Sequence, residues 1–125
     1  PLADLLLTKL QIVELNEKDI KDIMVLLIDH ELSDKDEDDH INVKYIARLC
    51  SNDWGLEKTI KITFDKVLEW AKHTPINEQH RNIITSKIEK IRSAIDAEPK
   101  SLKWKMRAKV GDKVRWYEIP EEPLR

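Results

Sequence analysis

Five isoleucines between residues 83 and 95 recur at helical spacing, and this row constrains the fold of the chain more than any other feature. A helix with one apolar face must bury that face against other elements, because its apolar surface is driven out of water. Asn77 lies before the row as an expected N-cap, and Pro99 follows it as a stop. The pattern therefore predicts a long helix packed within a bundle. The isoleucines are Ile83, Ile84, Ile88, Ile91 and Ile95.

Two earlier segments show the same periodicity. Residues 2–14 and residues 17–29 each place leucines or isoleucines every three or four positions, which predicts two consecutive helices. Asn16 is the expected N-cap of the second helix, with Asp19 at the third helical position of a capping box. Because the connection is so short, we expect the two helices to form an antiparallel hairpin.

The middle of the chain predicts two more helices. Residues 42–50 form the first, with Tyr45 and Leu49 among the side chains that face the core, and residues 56–73 form the second. Residues 30–40 are predicted to be a polar loop because acidic side chains dominate their second half.

The predicted fold is mainly α: an irregular bundle of about five helices over residues 1–99, followed by a basic tail and frayed C-terminus over residues 100–125. Residues 101–117 are compatible with two structures. Alternating apolar and basic residues predict a strand hairpin that turns at Gly111, whereas apolar residues spaced by four predict a helix with Ser101 as its N-cap. We favour the helix, because every upstream element is helical.

The tail concentrates positive charge. Residues 100–117 hold seven basic residues and one acid, a net +6, so the rest of this chain of overall charge −2 sums to −8. Cations beside aromatic rings are typical of a nucleic-acid surface, where lysines bind phosphates and rings stack on bases. The other interpretation is an amphipathic element that packs its tryptophans on the acidic body. The candidate nucleic-acid-binding residues are Lys103, Lys105, Arg107 and Lys109.

Residues 3–28 carry a motif-like arrangement. Lys9 lies in the first leucine-rich segment, and Lys18, Asp19 and Asp22 lie in the first two turns of the second. A lysine followed by Lys-Asp-x-x-Asp and an apolar helix resembles a segment of the AbiEii-type (abortive-infection toxin-like) nucleotidyltransferases, where it lies C-terminal to the catalytic core. The family's catalytic signature, a Gly-Ser turn followed by an Asp-x-Asp strand, is absent from these 125 residues.

The resemblance implies a function. The chain would be the C-terminal helical domain of a nucleotidyltransferase-like protein, completing a nucleotide and acceptor cleft with an N-terminal catalytic domain that the chain lacks. Lys9 and Lys18 would line the nucleotide, with Lys9 neutralising triphosphate charge, and Asp19 or Asp22 would orient the lysine or a hydroxyl. Mg²⁺ and a nucleoside triphosphate would serve the full-length protein, RNA is one candidate acceptor, and the isolated chain is expected to hold no cofactor and to be inactive.

The residues by themselves leave a second class of function open. Lys9 can extend from an apolar helix to water, Asp19 suits the first turn of any helix, and Lys18 with Asp22 forms an ordinary i,i+4 pair. The chain is then a helical protein- or nucleic-acid-interaction module with no catalytic role. No metal site is predicted on either interpretation, because the four histidines lack the spacing of metal ligands.

Cys50 is the single cysteine of the chain. One cysteine excludes an internal disulfide and fits a reducing, cytoplasmic compartment, and its apolar surroundings predict a buried structural thiol. No apolar run approaches the roughly 18 residues that a membrane span needs, so no membrane is predicted among the partners.

Overall fold

A computed structural model describes residues 1–117 and gives them a mainly α fold, as predicted. The frayed end predicted for residues 119–125 lies outside the described residues. The elements, in chain order, are α1 (Leu2–Leu10), α2 (Glu17–Asp29), β1 (Glu31–Ser33), β2 (His40–Asn42), α3 (Val43–Ser51), α4 (Trp54–His73), α5 (Glu78–Ala97), α6 (Leu102–Val110) and a short 3₁₀ helix (Gly111–Lys113).

The isoleucine face of α5 lies at the centre of the core. Ile84, Ile88, Ile91 and Ile95 are fully buried, and α5 packs against α2, α3 and α4. Phe64 of α4 is fully buried in the same core. Burying one such side chain stabilises a fold by about 1.5–3 kcal/mol before the entropy of ordering the chain is counted. The predicted long helix is therefore the element around which the bundle packs.

Side-chain caps begin three helices where the sequence predicts them. The Asn16 side chain accepts a hydrogen bond from the Asp19 backbone N–H (2.9 Å), and the Asp19 carboxylate accepts one from the Asn16 N–H (3.1 Å). Asn77 and Ser101 likewise accept from the backbone N–H three residues further on. Each cap satisfies a helix-end donor that has no partner within the helix, so these helix starts need only local information.

The first helix was predicted to reach residue 14, and that prediction is wrong, because α1 ends at Leu10. The Thr63 hydroxyl on α4 donates to the Leu10 carbonyl at 2.9 Å, and the Gln11 amide donates to the Leu7 carbonyl at 3.0 Å. These side chains satisfy carbonyls that a longer helix would have used itself. Since Thr63 is distant in sequence, local periodicity could not predict this end.

The predicted polar loop over residues 30–40 contains two short strands. They pair in parallel, with Leu32 opposite Ile41, and Ile41 is fully buried. Parallel strands usually need a crossover of a dozen or more residues. The six residues between these strands suffice because a three-residue strand is only about 10 Å long. Asp39, with a φ of 62°, makes the tight return.

The third helix faces the core differently from the prediction. Ile46 is fully buried, but Tyr45 and Leu49 are 37% and 36% exposed. Val43 and Ala47 take the inward positions instead. The buried face of α3 is therefore rotated relative to the predicted face. The smaller Val43 and Ala47 fit the close contact with the bundle, whereas the amphipathic Tyr45 can remain at the surface.

The tail forms α6, so the helical alternative is confirmed and the hairpin is wrong. α6 packs on α4, and Lys100 joins the start of the tail to the bundle. Its Nζ lies 2.7 Å from both the Glu57 carboxylate and the Ile95 carbonyl. Glu57 is buried, and a buried carboxylate is costly without a charged partner. Lys100 neutralises Glu57 together with Lys61, whose Nζ lies 3.1 Å from the same carboxylate, and Lys100 also holds the tail against α4 and α5.

A lysine from α5 caps the C-terminal end of α2. Lys87 is only 8% exposed, and its Nζ donates to the carbonyls of Leu27 and His30, each at 2.6 Å. α2 has no basic residue in its own last turn. Lys87 therefore supplies the cation that the helix dipole favours there and satisfies two carbonyls at that end.

We predict that Lys87→Met lowers the free energy of unfolding by about 1–3 kcal/mol, because it leaves buried carbonyls without a donor. Urea denaturation followed by circular dichroism measures the change. The matched control is Lys90→Met on the same helix, which is exposed and should change stability by less than about 0.5 kcal/mol. Equal stabilities of the two variants would contradict the capping role.

Candidate functional site

Three of the four motif residues meet where α1 and α2 run antiparallel. Lys9 Nζ lies 3.0 Å from Asp22 Oδ2, and Lys18 Nζ lies 3.2 Å from the same oxygen. The Lys9 side chain is 27% exposed and that of Lys18 is 80% exposed. One carboxylate oxygen is therefore shared by a partly buried ammonium and a largely exposed one. We call Lys9, Lys18 and Asp22 the α1–α2 cluster.

Asp19 lies apart from this cluster. Its carboxylate accepts the backbone N–H of Asn16 in the capping box that begins α2. The oxygen that holds Lys9 therefore belongs to Asp22, and Asp19 acts on the cluster only by fixing where α2 begins.

The carboxyl group of Asp22 has a lower pKa than an unpaired aspartate at the surface. The hydrogen bond from Lys9, followed by the one from Lys18, lowers the pKa of Asp22 below its usual value. A lowered pKa means that both ammonium groups stabilise the ionised form. At neutral pH the α1–α2 cluster therefore carries two positive charges and one negative charge, a net +1.

A depression of about 270 Å³ adjoins the cluster. Leu26 lies at its side, and two apolar side chains of its rim face solvent: Leu5 is 47% exposed and Val25 is 54% exposed. Sites that enclose a small molecule usually measure about 300–1,000 Å³. The depression can hold an anionic group at Lys9 beside an apolar group, but a second surface is needed to enclose a whole ligand.

The four tail candidates are placed differently from one another. Lys103, Lys105 and Lys109 are exposed, and they form no ion pair with a carboxylate of residues 1–117. Arg107 is half-buried and donates to the Gly111 carbonyl (2.6 Å) and the Val114 carbonyl (2.7 Å). Arg107 thus holds the end of α6, and the three lysines face solvent.

An aromatic cluster anchors the segment after α6, in line with the interpretation in which the tail packs its tryptophans on the body. The sequence did not identify Trp54 as their partner. The Arg107 guanidinium lies 4.7 Å from the centre of the Trp54 ring, and the Trp116 ring meets Trp54 edge to face at 5.7 Å. The Trp116 indole N–H donates to the Thr59 hydroxyl at 2.9 Å. A side chain at Gly55 would come within 3.1 Å of the Trp116 Cβ, so the missing side chain allows this approach. Trp54 therefore contacts both Arg107 and Trp116, and these contacts hold the segment after α6 against α4.

Cys50 is fully buried, and burial raises the pKa of its thiol to about 12, so the predicted buried thiol is confirmed.

Within residues 1–117, no three His, Cys, Asp or Glu side chains are grouped so that they could hold a metal ion. Over the same residues, no helix combines the length and the apolar character needed to cross a bilayer.

Comparison of the chain with protein-family models, with curated proteins and with solved structures finds no match. The likeness of residues 3–28 to the AbiEii-type segment therefore depends on those residues alone.

We predict that Lys9→Met raises the pKa of Asp22 toward that of an unpaired aspartate, which is about 3.9. Because the pKa of Asp22 in the folded protein is lowered, the pairing stabilises the fold above the unfolded pKa and is lost as the pH falls through the folded pKa. NMR titration of the Asp22 carboxyl carbon measures the midpoint. Lys21→Met is the control, since Lys21 pairs with Glu17 on the same helix. An unchanged midpoint in Lys9→Met would show that Lys9 does not hold Asp22 in solution.

The exposed tail lysines should give weak, sequence-independent binding to RNA or DNA, with a Kd of roughly micromolar or weaker. Replacing Lys103, Lys105 and Lys109 by Ser should remove most of it and lower the slope of log K against log salt by up to about three. Arg107→Ser should instead loosen α6, because its guanidinium holds two backbone carbonyls. Fluorescence anisotropy with a labelled oligonucleotide at low and moderate salt measures binding. Unchanged affinity in the triple variant would place the polyanion contact elsewhere.

Proposed function

We propose that this chain is the C-terminal helical domain of a nucleotidyltransferase-like protein and supplies half of a nucleotide-binding cleft at the α1–α2 cluster. The observation that carries the proposal is the convergence of Lys9 and Lys18 on one oxygen of Asp22, beside an open depression with an apolar rim. Three of the four residues by which the segment resembles the family take part in this arrangement, and Asp19 does not.

The two lysines would have different tasks. Lys9 is partly buried and held by Asp22, so its charge is already in position when an anion arrives. Lys18 is largely exposed and can leave Asp22 to follow a phosphate. A pre-positioned cation favours the charge that develops on a transferred phosphoryl group, because little reorganisation is needed during the reaction. Asp22 would orient Lys9 and prevent it from folding away.

The cluster fits the phosphate better than it fits the metal of such a reaction. Mg²⁺ is held through carboxylates and phosphate oxygens, and Asp22 is the one carboxylate of the cluster and is already paired with two ammonium groups. A catalytic domain would therefore hold Mg²⁺, and the nucleoside triphosphate would bridge the two surfaces. The open rim formed by Leu5 and Val25 suits this division, since a covering domain would bury those side chains.

The alternative function is a helical interaction module without catalysis. One observation favours it: α6 exposes Leu102, Met106 and Val110 to solvent, an apolar surface that the nucleotide proposal leaves unused. The two functions make different demands on Lys9, which only the nucleotide proposal requires.

We predict that ATP and inorganic tripolyphosphate bind the chain weakly at the α1–α2 cluster, with a Kd of about 1 mM, since half a cleft desolvates the ligand poorly. Two-dimensional NMR during titration should show shifts for Leu5, Lys9 and Val25. Lys9→Met with Lys18→Met should weaken binding by about fivefold or more, because the phosphate loses both cations.

Lys21→Met again provides the control, as a lysine on α2 outside the cluster. Binding that the double variant leaves unchanged, or shifts confined to the α6 lysines, would reject the nucleotide proposal. The interaction-module alternative would then stand.

A further inference from the structure

An apolar row on α6 faces solvent. Leu102 is 73% exposed, Met106 is 61% exposed and Val110 is 42% exposed, and Val114 beyond the helix is 57% exposed. Scattered apolar side chains at a surface are ordinary, but a continuous row at a spacing of four residues is not scattered. We call Leu102, Met106 and Val110 the α6 ridge.

The outward direction of the ridge is set by contacts on the opposite side of α6. Trp104 is half-buried against the bundle, with Lys100 Nζ lying 5.2 Å from the centre of its ring. Arg107 lies over Trp54 and donates to two backbone carbonyls. A tryptophan buries more area than a leucine or methionine, so the helix turns its indole inward and its aliphatic row outward. The ridge is therefore a fixed feature of the folded chain.

Lysines flank the ridge on both sides. At about 100° per residue, the ridge runs across a sector of about 80°, with Lys103 just beyond one edge and Lys105 and Lys109 beyond the other. All three lysines are exposed. An aliphatic row with cations on both sides is complementary to an aliphatic groove with anions on both sides.

We propose that the α6 ridge docks an amphipathic helix of a protein partner, whose own apolar groove is bordered by glutamates or aspartates. Residues spaced by four form the ridges that fit into grooves between the ridges of another helix, which is the commonest helix-packing class. The partner's carboxylates would pair with Lys103, Lys105 and Lys109. The aliphatic contact provides apolar burial, and the charge pairs select an acidic partner over a basic one.

Other occupants match the surface less well. A second copy of α6 would bring lysines against lysines. A nucleic acid would neutralise the lysines but leave the aliphatic side chains in water. A bilayer surface is flat, and interfacial helices present a long apolar face to it, whereas this helix has nine residues and a ridge that winds around it. The acidic helix alone uses both the ridge and its flanking charges.

The test uses the full chain and a designed probe: a fluorescein-labelled helical peptide of about 18 residues, long enough to be helical alone, with leucines every four positions between glutamates. Anisotropy should report binding. Leu102→Gln with Met106→Gln should weaken it about tenfold or more while leaving the Tm unchanged, since both side chains are already exposed. Leu49→Gln, which changes an exposed side chain on α3, is the matched control and should bind as the parent does.

A charge exchange completes the test. Lys105→Glu with Lys109→Glu should weaken binding of the glutamate peptide and strengthen binding of the same peptide with lysines in place of glutamates. An oligonucleotide and vesicles of phosphatidylglycerol with phosphatidylcholine are tested beside the peptides. The proposal is overturned if the glutamate peptide does not bind, if it binds the ridge variant equally well, or if the vesicles bind through the ridge more tightly than the peptide.

Discussion

Burial of one face of α5 is the constraint on which the rest of the structure depends. That face packs against α2, α3 and α4, and the same helix carries the ammonium that closes the end of α2. The carbonyl of Ile95 near its own end receives Lys100, which in turn neutralises Glu57. α5 thus positions both the helix that carries Asp22 and the segment that leads to α6. Neither candidate surface contains a residue of α5, yet both depend on its burial.

Features determined within a few residues could be predicted from the sequence. The caps at Asn16, Asn77 and Ser101 were predicted correctly, because the side-chain oxygen of an N-cap residue accepts a backbone N–H three residues further on. This hydrogen bond forms in the same way whatever the rest of the fold. The proximity of Lys9 and Asp22 was predictable for a related reason. Two helices with a short connection run antiparallel, and this arrangement brings the end of the first beside the second turn of the other.

Features determined by distant partners could not be predicted. The end of α1 depends on Thr63, on a helix far along the chain, and the sequence placed that end at residue 14 instead of Leu10. The end of α2 at Asp29 was predicted, but the cap that Lys87 of α5 provides there was not. The direction of α6 illustrates the same limit. Its apolar row at a spacing of four predicts the helix, but which side faces inward depends on whether Trp104 or the row buries more area against α4. The exposure of Tyr45 is a third case, since rotation of α3 by one residue depends on the shape of its neighbours.

The orientation of α6 also determines which positive charges of the tail face solvent. By composition the tail is a polycation of net charge +6, yet Lys100 is paired with Glu57 and Arg107 holds backbone carbonyls. The outward charges of the helix are three lysines separated by an aliphatic ridge. Non-specific affinity for a phosphate backbone rises with the number of cations that contact phosphates, whereas an acidic helix can use each lysine and the apolar surface between them. Partial burial of Arg107 and Trp104 therefore leaves Lys103, Lys105 and Lys109 beside an aliphatic row, which is the arrangement that the proposed acidic helix would use.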